Sequence, residues 1–211
     1  MKKKQKVLIL CTHNSVRSQM AEGILRHLAP EKFEVESAGT CPCGVNPYAI
    51  KALDEIGIDI SQQYSKDISD FAGRHFDYVI TVCRGVQQAC PVFTGNCKRI
   101  HWPLEDPGNV KGTTEEILRV FRNTRNILKA LLLDFIGGSL GQAHLKCPFC
   151  KNIQKIEVPQ GKCLLFYKCR NCGKIIPTPG GNCCTVCGYS DKVCKAFYAQ
   201  VKRTFSRGGG V

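Results

Sequence analysis

Over its first 136 residues the chain alternates short apolar runs with amphipathic stretches. Val7-Leu-Ile-Leu10 is continuous and apolar, as in a strand covered on both faces. The next stretch, from Ser18, places Met20, Ile24, Leu25 and Leu28 at helical spacing. Phe33-Glu-Val-Glu-Ser37 alternates as a half-buried strand, and Ala38-Gly39 should turn out of it. Asn46-Pro47 reads as a helix cap and first helical residue, with Ile50, Leu53 and Ile56 on one face and Gly57 as the stop. Asp77 to Val82 predicts a third strand and Lys98 to Trp102 a fourth. Thr113-Thr-Glu-Glu116 predicts a capping box for a long helix that turns Ile117, Val120, Phe121, Ile127, Leu128, Leu131 and Phe135 inward. Strands alternating with helices predict an α/β fold with a four-stranded parallel sheet and flanking helices. In such a sheet the chemistry sits on the loops that leave the strands.

Three of those loops carry reactive residues. The first is Cys11-Thr-His-Asn-Ser-Val-Arg17, between the first strand and the first helix. A thiol six residues before an arginine is a weak signal by spacing alone, but this context strengthens it. Loop N–H groups, a helix N-terminus and a guanidinium can together grip a tetrahedral oxyanion. Those fields also predict a thiolate at Cys11 and hence a nucleophile. The second loop holds Cys83 and Cys90. The third holds Asp106, suited to protonate a leaving oxygen, although Asp106-Pro107-Gly108 also reads as a plain turn.

After Phe135 a Gly-rich linker is expected over 138–145, and then the pattern changes. Cys147-x-x-Cys150 and Cys169-x-x-Cys172, 18 residues apart, have the two-knuckle spacing of a four-thiolate zinc site. This predicts a zinc-ribbon-like domain over 146–196, with Cys163 packed in its core. Cys183, Cys184, Cys187 and Cys194 form a further group. They read as a second zinc site, as a three-thiolate trap for a soft ion such as arsenite or mercury, or as packed thiols. A disordered basic tail is expected over 197–211.

Composition narrows the partners. The chain has 211 residues, 15 cysteines and a net charge of +13. Residues 142–211 hold 12 Lys and Arg against 2 Asp and Glu. That favours a polyanion partner, yet zinc tetrathiolates would absorb part of the charge, so nucleic acid is the weaker reading. Only four apolar residues precede the Cys11 loop, too few for a signal peptide, and no run matches a membrane span. A cytoplasmic location is expected, and there the cysteines point to metal and redox chemistry.

Residues 6 to about 136 resemble the low-molecular-weight tyrosine phosphatase superfamily, and within it the thioredoxin-coupled arsenate reductases. The matching segments are the Cys11 to Gly23 stretch, Ser37-Ala-Gly39, Gly44 to Pro47, Asp59-Ile-Ser61, the Cys83/Cys90 pair and His101-Trp102 with Asp106-Pro107. The resemblance implies an arsenate reductase domain over 1–137. Cys11 would attack arsenic, Arg17 would hold the oxyanion and Asp106 would protonate the departing oxygen. Cys83 and then Cys90 would pass a disulfide to thioredoxin, eased by Gly85, with no organic cofactor. Thr12, His13, Asn14, Ser15, Val16 and Ser18 would shape the anion loop. A phosphatase using only Cys11, Arg17 and Asp106 is the alternative. Some relatives hold a monovalent cation through an acidic residue where this chain has Lys66, so no potassium site is expected. Cys41-Pro-Cys43 is unusual for the family and is either incidental or a holder of arsenite, and Cys97 should pack at a strand edge. The segment Cys147 to Cys194 resembles small bacterial proteins with a Gly-Asp-Cys-Cys-x-x-Cys motif, with Asn182 in place of the Asp.

Overall fold

The computed structural model describes residues 3–83, 96–159 and 163–206. They form two compact units, Met1–Ile50 with Ile60–Asn109, and Lys51–Asp59 with Val110–Val211.

The first unit is built on β1 (Gln5–Cys11), β2 (Phe33–Gly39), β3 (Tyr78–Thr81) and β4 (Lys98–His101). They form one parallel sheet in the order β2-β1-β3-β4. Val7 to Leu10 are fully buried, which is why the central strand reads as an unbroken apolar run. Helix α1 (Arg17–Leu28) buries Met20, Ala21, Ile24 and Leu25. Helix α2 (Pro47–Asp54) starts where Asn46 Oδ1 accepts the Tyr48 N–H at 2.8 Å. Strand β2 runs two residues further than its alternation suggests: Ala38 and Gly39 pair with Leu10 and Cys11 instead of turning away. A side chain at Gly39 would strike Thr12 O at 2.5 Å, so only glycine lets β2 lie against the anion loop.

The second unit begins with α3 (Thr114–Phe135), whose Thr113 and Glu116 form the expected capping box. Two antiparallel hairpins follow, β5 (Gln142–Lys146) with β6 (Ile153–Glu157), and β7 (Phe166–Lys168) with β8 (Ile175–Pro177). Helices α4 (Thr185–Tyr189) and α5 (Lys195–Ser206) complete it. Residues 51–59 belong with this unit through ion pairs: Glu55 meets Arg122 at 2.7 Å and Arg125 at 3.1 Å, and Asp54 meets Lys146 at 2.7 Å.

Two boundaries differ from the sequence expectation. Residues 142–145 of the predicted linker are strand, because Ala143 and Leu145 alternate into the core. The tail from residue 197 is helical as far as Ser206. Val201 is buried there, and Asp134 on α3 accepts from Tyr198 Oη at 2.8 Å and pairs with Lys202 at 2.8 Å. No helix among the described residues is long and apolar enough to cross a membrane.

Candidate active site and thiol clusters

The Cys11 loop leaves the centre of the sheet and turns back on its own thiol. Asn14 adopts φ 46°, and its N–H donates to Cys11 Sγ at 3.1 Å, while Ser18 Oγ lies 2.9 Å from the sulfur. The Asn14 side chain fixes this shape from below. Its Nδ2 donates to Ser18 and Ser37 at 2.8 Å each, and its Oδ1 accepts from Gln19 Nε2 at 2.9 Å and Lys66 N at 2.8 Å. Ser37 Oγ donates to buried Glu22, whose carboxylate has Lys66 Nζ at 3.6 Å. Lys66 thus supplies a cation beside this network from within the chain.

Arg17 opens α1 and reaches the loop after β4, donating to Leu104 O at 2.9 Å and to Asp106 Oδ2 at 2.5 Å. Its buried Nε has no partner among the described residues and is a donor ready for an anion. Asp106 makes the turn the sequence allowed, Oδ1 accepting the Gly108 N–H at 3.0 Å, and its Oδ2 faces Arg17. A cavity of about 410 Å³ is lined by Cys11, His13, Ser15, Val16, Arg17 and Asp106. Cys41 and Cys43 line it too, their N–H groups held by Thr12 O and His13 O at 2.9 and 3.2 Å. Thr12 and Asn14 are the remaining loop members.

The fields that favour a thiolate at Cys11 are in place, and burial opposes them. Burial pushes the Cys11 thiol up, and this outweighs the Ser18 hydrogen bonds, the Arg17 charge and the Asn14 N–H that pull it down. Cys83 lies two residues past β3, buried, with Sγ 3.6 Å from Thr12 Oγ1. Cys90 and Gly85 lie outside the described residues. Cys97 is half-buried just before β4.

In the second unit each hairpin bears a Cys-x-x-Cys knuckle at its turn. Lys151 (φ 61°) and Gly173 (φ 71°) follow the knuckles in the left-handed region, and their N–H groups return to Cys147 O and Cys169 O, both at 3.0 Å. The four sulfurs of Cys147, Cys150, Cys169 and Cys172 lie within 4.8 Å of one another. Two of their spacings, 3.9 Å for Cys147 to Cys172 and 3.7 Å for Cys150 to Cys169, match the edge of about 3.8 Å that a tetrahedron of ~2.3 Å Zn–S bonds requires. The Cys172 N–H leads the interactions that bring Cys169 down to about 6, while Cys172, despite the Lys174 N–H, is pushed up to about 11 by burial and its sulfur neighbours.

The other cluster has a different membership from the one the sequence suggested. Cys163, Cys183, Cys184 and Cys194 come within 4.8 Å of one another, so Cys163 is not simply core. Cys187 is the fifth thiol, 3.3 Å from Cys183. Under the cluster lies a feature that sequence reading missed, a charged and fully buried stripe on α3. Lys129 Nζ donates to the carbonyls of Cys187, Ser190 and Lys192, and Arg125 donates to Cys187 O and Asn182 Oδ1. Burial pushes Lys129 down to about 7. On a helical wheel these residues look like a solvated face, and no local signal marks them as buried.

A parallel sheet whose central strand delivers a buried thiol into an arginine-bearing loop, with an aspartate opposite, defines an oxyanion-binding enzyme of the cysteine-nucleophile class. A family model for low molecular weight phosphotyrosine protein phosphatases matches residues 6–146, and the chain belongs to that family. The arsenate reductase of Shouchella clausii is 42% identical over 132 residues, which is 63% of this chain and 95% of that protein. The arsenate reductase of Halalkalibacterium halodurans is 44% identical over 123 residues, 58% of this chain and 88% of that protein. A solved arsenate reductase in its oxidized state superposes with a TM-score of 0.56 at 35% identity, covering 63% of this chain and 97% of its own.

Proposed function

We infer that the chain is an arsenate reductase of the low-molecular-weight phosphatase fold, converting arsenate to arsenite. The observation that favours reduction over plain hydrolysis is Cys83. Hydrolysis needs one nucleophilic thiol, and here a second sits at the anion loop, with Thr12 between it and the site. The reaction runs as follows. The Cys11 thiolate attacks arsenic(V) held by the loop N–H groups and Arg17, and Asp106 protonates the oxygen that leaves as water. Cys83 attacks Cys11 Sγ, the S–As electron pair stays on arsenic, and arsenite departs as a Cys11–Cys83 disulfide forms. Cys90 then attacks Cys83 in a thiol–disulfide exchange, freeing Cys11 and leaving a Cys83–Cys90 disulfide for thioredoxin.

The knuckle cluster supports a structural zinc in a zinc-ribbon-like module, held by Cys147, Cys150, Cys169 and Cys172. Cytoplasmic residence fits the reduced thiols that this chemistry needs.

The test is arsenate-dependent NADPH consumption with thioredoxin and thioredoxin reductase, beside p-nitrophenyl phosphate hydrolysis on the same preparation. Sustained oxidation with little hydrolysis is expected. Hydrolysis without oxidation would make the protein a phosphatase.

A further inference from the structure

The C-terminal cluster holds five thiols, more than one tetrahedral ion can use. It also lacks the paired knuckles of the first cluster. Its short sulfur spacings are 3.3 Å from Cys183 to Cys187 and 3.5 Å from Cys183 to Cys194, and the Cys194 N–H donates to Cys187 Sγ at 3.3 Å. A tetrahedron of ~2.3 Å bonds needs edges of about 3.8 Å, whereas bonds of that length meeting near a right angle need roughly 3.3 Å. The two edges that meet at Cys183 are therefore closer to those of a pyramidal, three-coordinate ion than to those of a zinc tetrahedron, while Cys163 stands off at 3.9 Å from Cys194.

Access and rigidity agree with this. Cys183 is exposed while Cys184, Cys187 and Cys194 are buried, so the site opens on one side. The loop carrying the trio is pinned from α3. Arg125 and Asn126 hold Asn182 Oδ1 at 3.1 and 2.6 Å, one residue before Cys183, and Lys129 holds the carbonyls of Cys187, Ser190 and Lys192 at 2.8 to 3.1 Å. Ligands fixed in this way lose little freedom on binding, and soft thiolates select soft ions.

We propose that Cys183, Cys187 and Cys194 form a binding site for trivalent arsenic, with Cys184 and Cys163 as neighbouring thiols through which the ion can exchange. Arsenous acid and three thiols give an arsenic trithiolate and three waters. Three As–O bonds are replaced by three As–S bonds, the three thiol protons leave in the water, and no electron is transferred. The site takes the product of the proposed reduction and rests on that reading only for the origin of its ligand.

The experiment is a thiol footprint of the full-length, zinc-loaded protein kept reduced with a phosphine. The protein is incubated with added sodium arsenite or without it, alkylated briefly, and mapped by peptide mass spectrometry. Arsenite is expected to slow alkylation of Cys183, Cys187 and Cys194 at least tenfold. Equilibrium dialysis should show one bound arsenic fewer in Cys183→Ser and in Cys194→Ser, with arsenate turnover unchanged in both. Protection confined to Cys11, Cys41, Cys43, Cys83 or Cys90 would overturn the proposal. So would a second zinc that shields the trio before arsenite is added and resists its displacement. Because arsenite is supplied directly, protection in a preparation that does not reduce arsenate would leave the site standing and fault only the reductase reading.

Discussion

Arg17 Nη2 lies 2.5 Å from Asp106 Oδ2, which ties the guanidinium proposed to grip the anion to the carboxyl proposed to protonate the leaving oxygen. An incoming oxyanion meets both at once, since Arg17 must share its fork between substrate and aspartate. Asp106→Asn keeps the shape and removes the acid. It should lower kcat for arsenate reduction by about 10²–10⁴-fold, while inhibition by inorganic phosphate is not weakened, because Arg17 is freed. Steady-state kinetics on arsenate with phosphate as competitor check both.

The 2.9 Å contact between Ser18 Oγ and Cys11 Sγ works against the burial that raises the thiol. A hydroxyl donating to sulfur favours the charged form, so its loss raises the Cys11 pKa further. Inactivation by iodoacetamide should therefore shift to more alkaline pH in Ser18→Ala. At neutral pH it should slow about tenfold or more, as expected for loss of a hydrogen bond to a charged group worth ~1.5–3 kcal/mol. An unchanged pH profile would mean that the hydroxyl does not act on the thiolate.

Lys66 places its ammonium 3.6 Å from Glu22, a carboxylate only 1% exposed. Lys66→Ala leaves that charge with half-exposed Arg26 as its remaining ion-pair partner, and should cost about 3 kcal/mol of stability, seen as a drop of several degrees in Tm. Lys66→Arg should lose less. Potassium chloride should stabilise Lys66→Ala more than it does the parent, since a free cation can then take the ammonium's place.

Cys169→Ser removes one corner of the knuckle cluster. If the proposed zinc is held there, the protein should lose one equivalent of it by mass spectrometry, and unfolding of the small hairpins should occur at lower temperature, because a core of this size would depend on that metal.

The sheet and the anion loop were readable because their signals are local. The buried run Val7 to Leu10, the Asn46-Pro47 helix start and the Thr113 to Glu116 box are each set by neighbours in sequence. The placement of Cys11, Cys83 and Asp106 on loops that leave the strands followed from topology. What escaped was set by long-range burial. Gln19 and Glu22 look like ordinary helix surface, yet they complete the network under Asn14. The raised Cys11 thiol escaped for the same reason, since a sequence shows the dipoles around a sulfur but not how little water reaches it. Lys129, Arg125 and Cys163 show the same limit in the second unit, where partners about 30 to 60 residues away decide their role.

The central claim is that electrons reach arsenic through Cys11, Cys83 and Cys90 in that order. It is tested most directly by mixing reduced protein with one equivalent of arsenate, without any donor, and mapping disulfides by mass spectrometry. The relay predicts an arsenate-dependent Cys83–Cys90 disulfide in the parent, a Cys11–Cys83 disulfide with one arsenite released in Cys90→Ser, and neither in Cys11→Ser. No arsenate-dependent disulfide in the parent, with steady p-nitrophenyl phosphate hydrolysis, would contradict it.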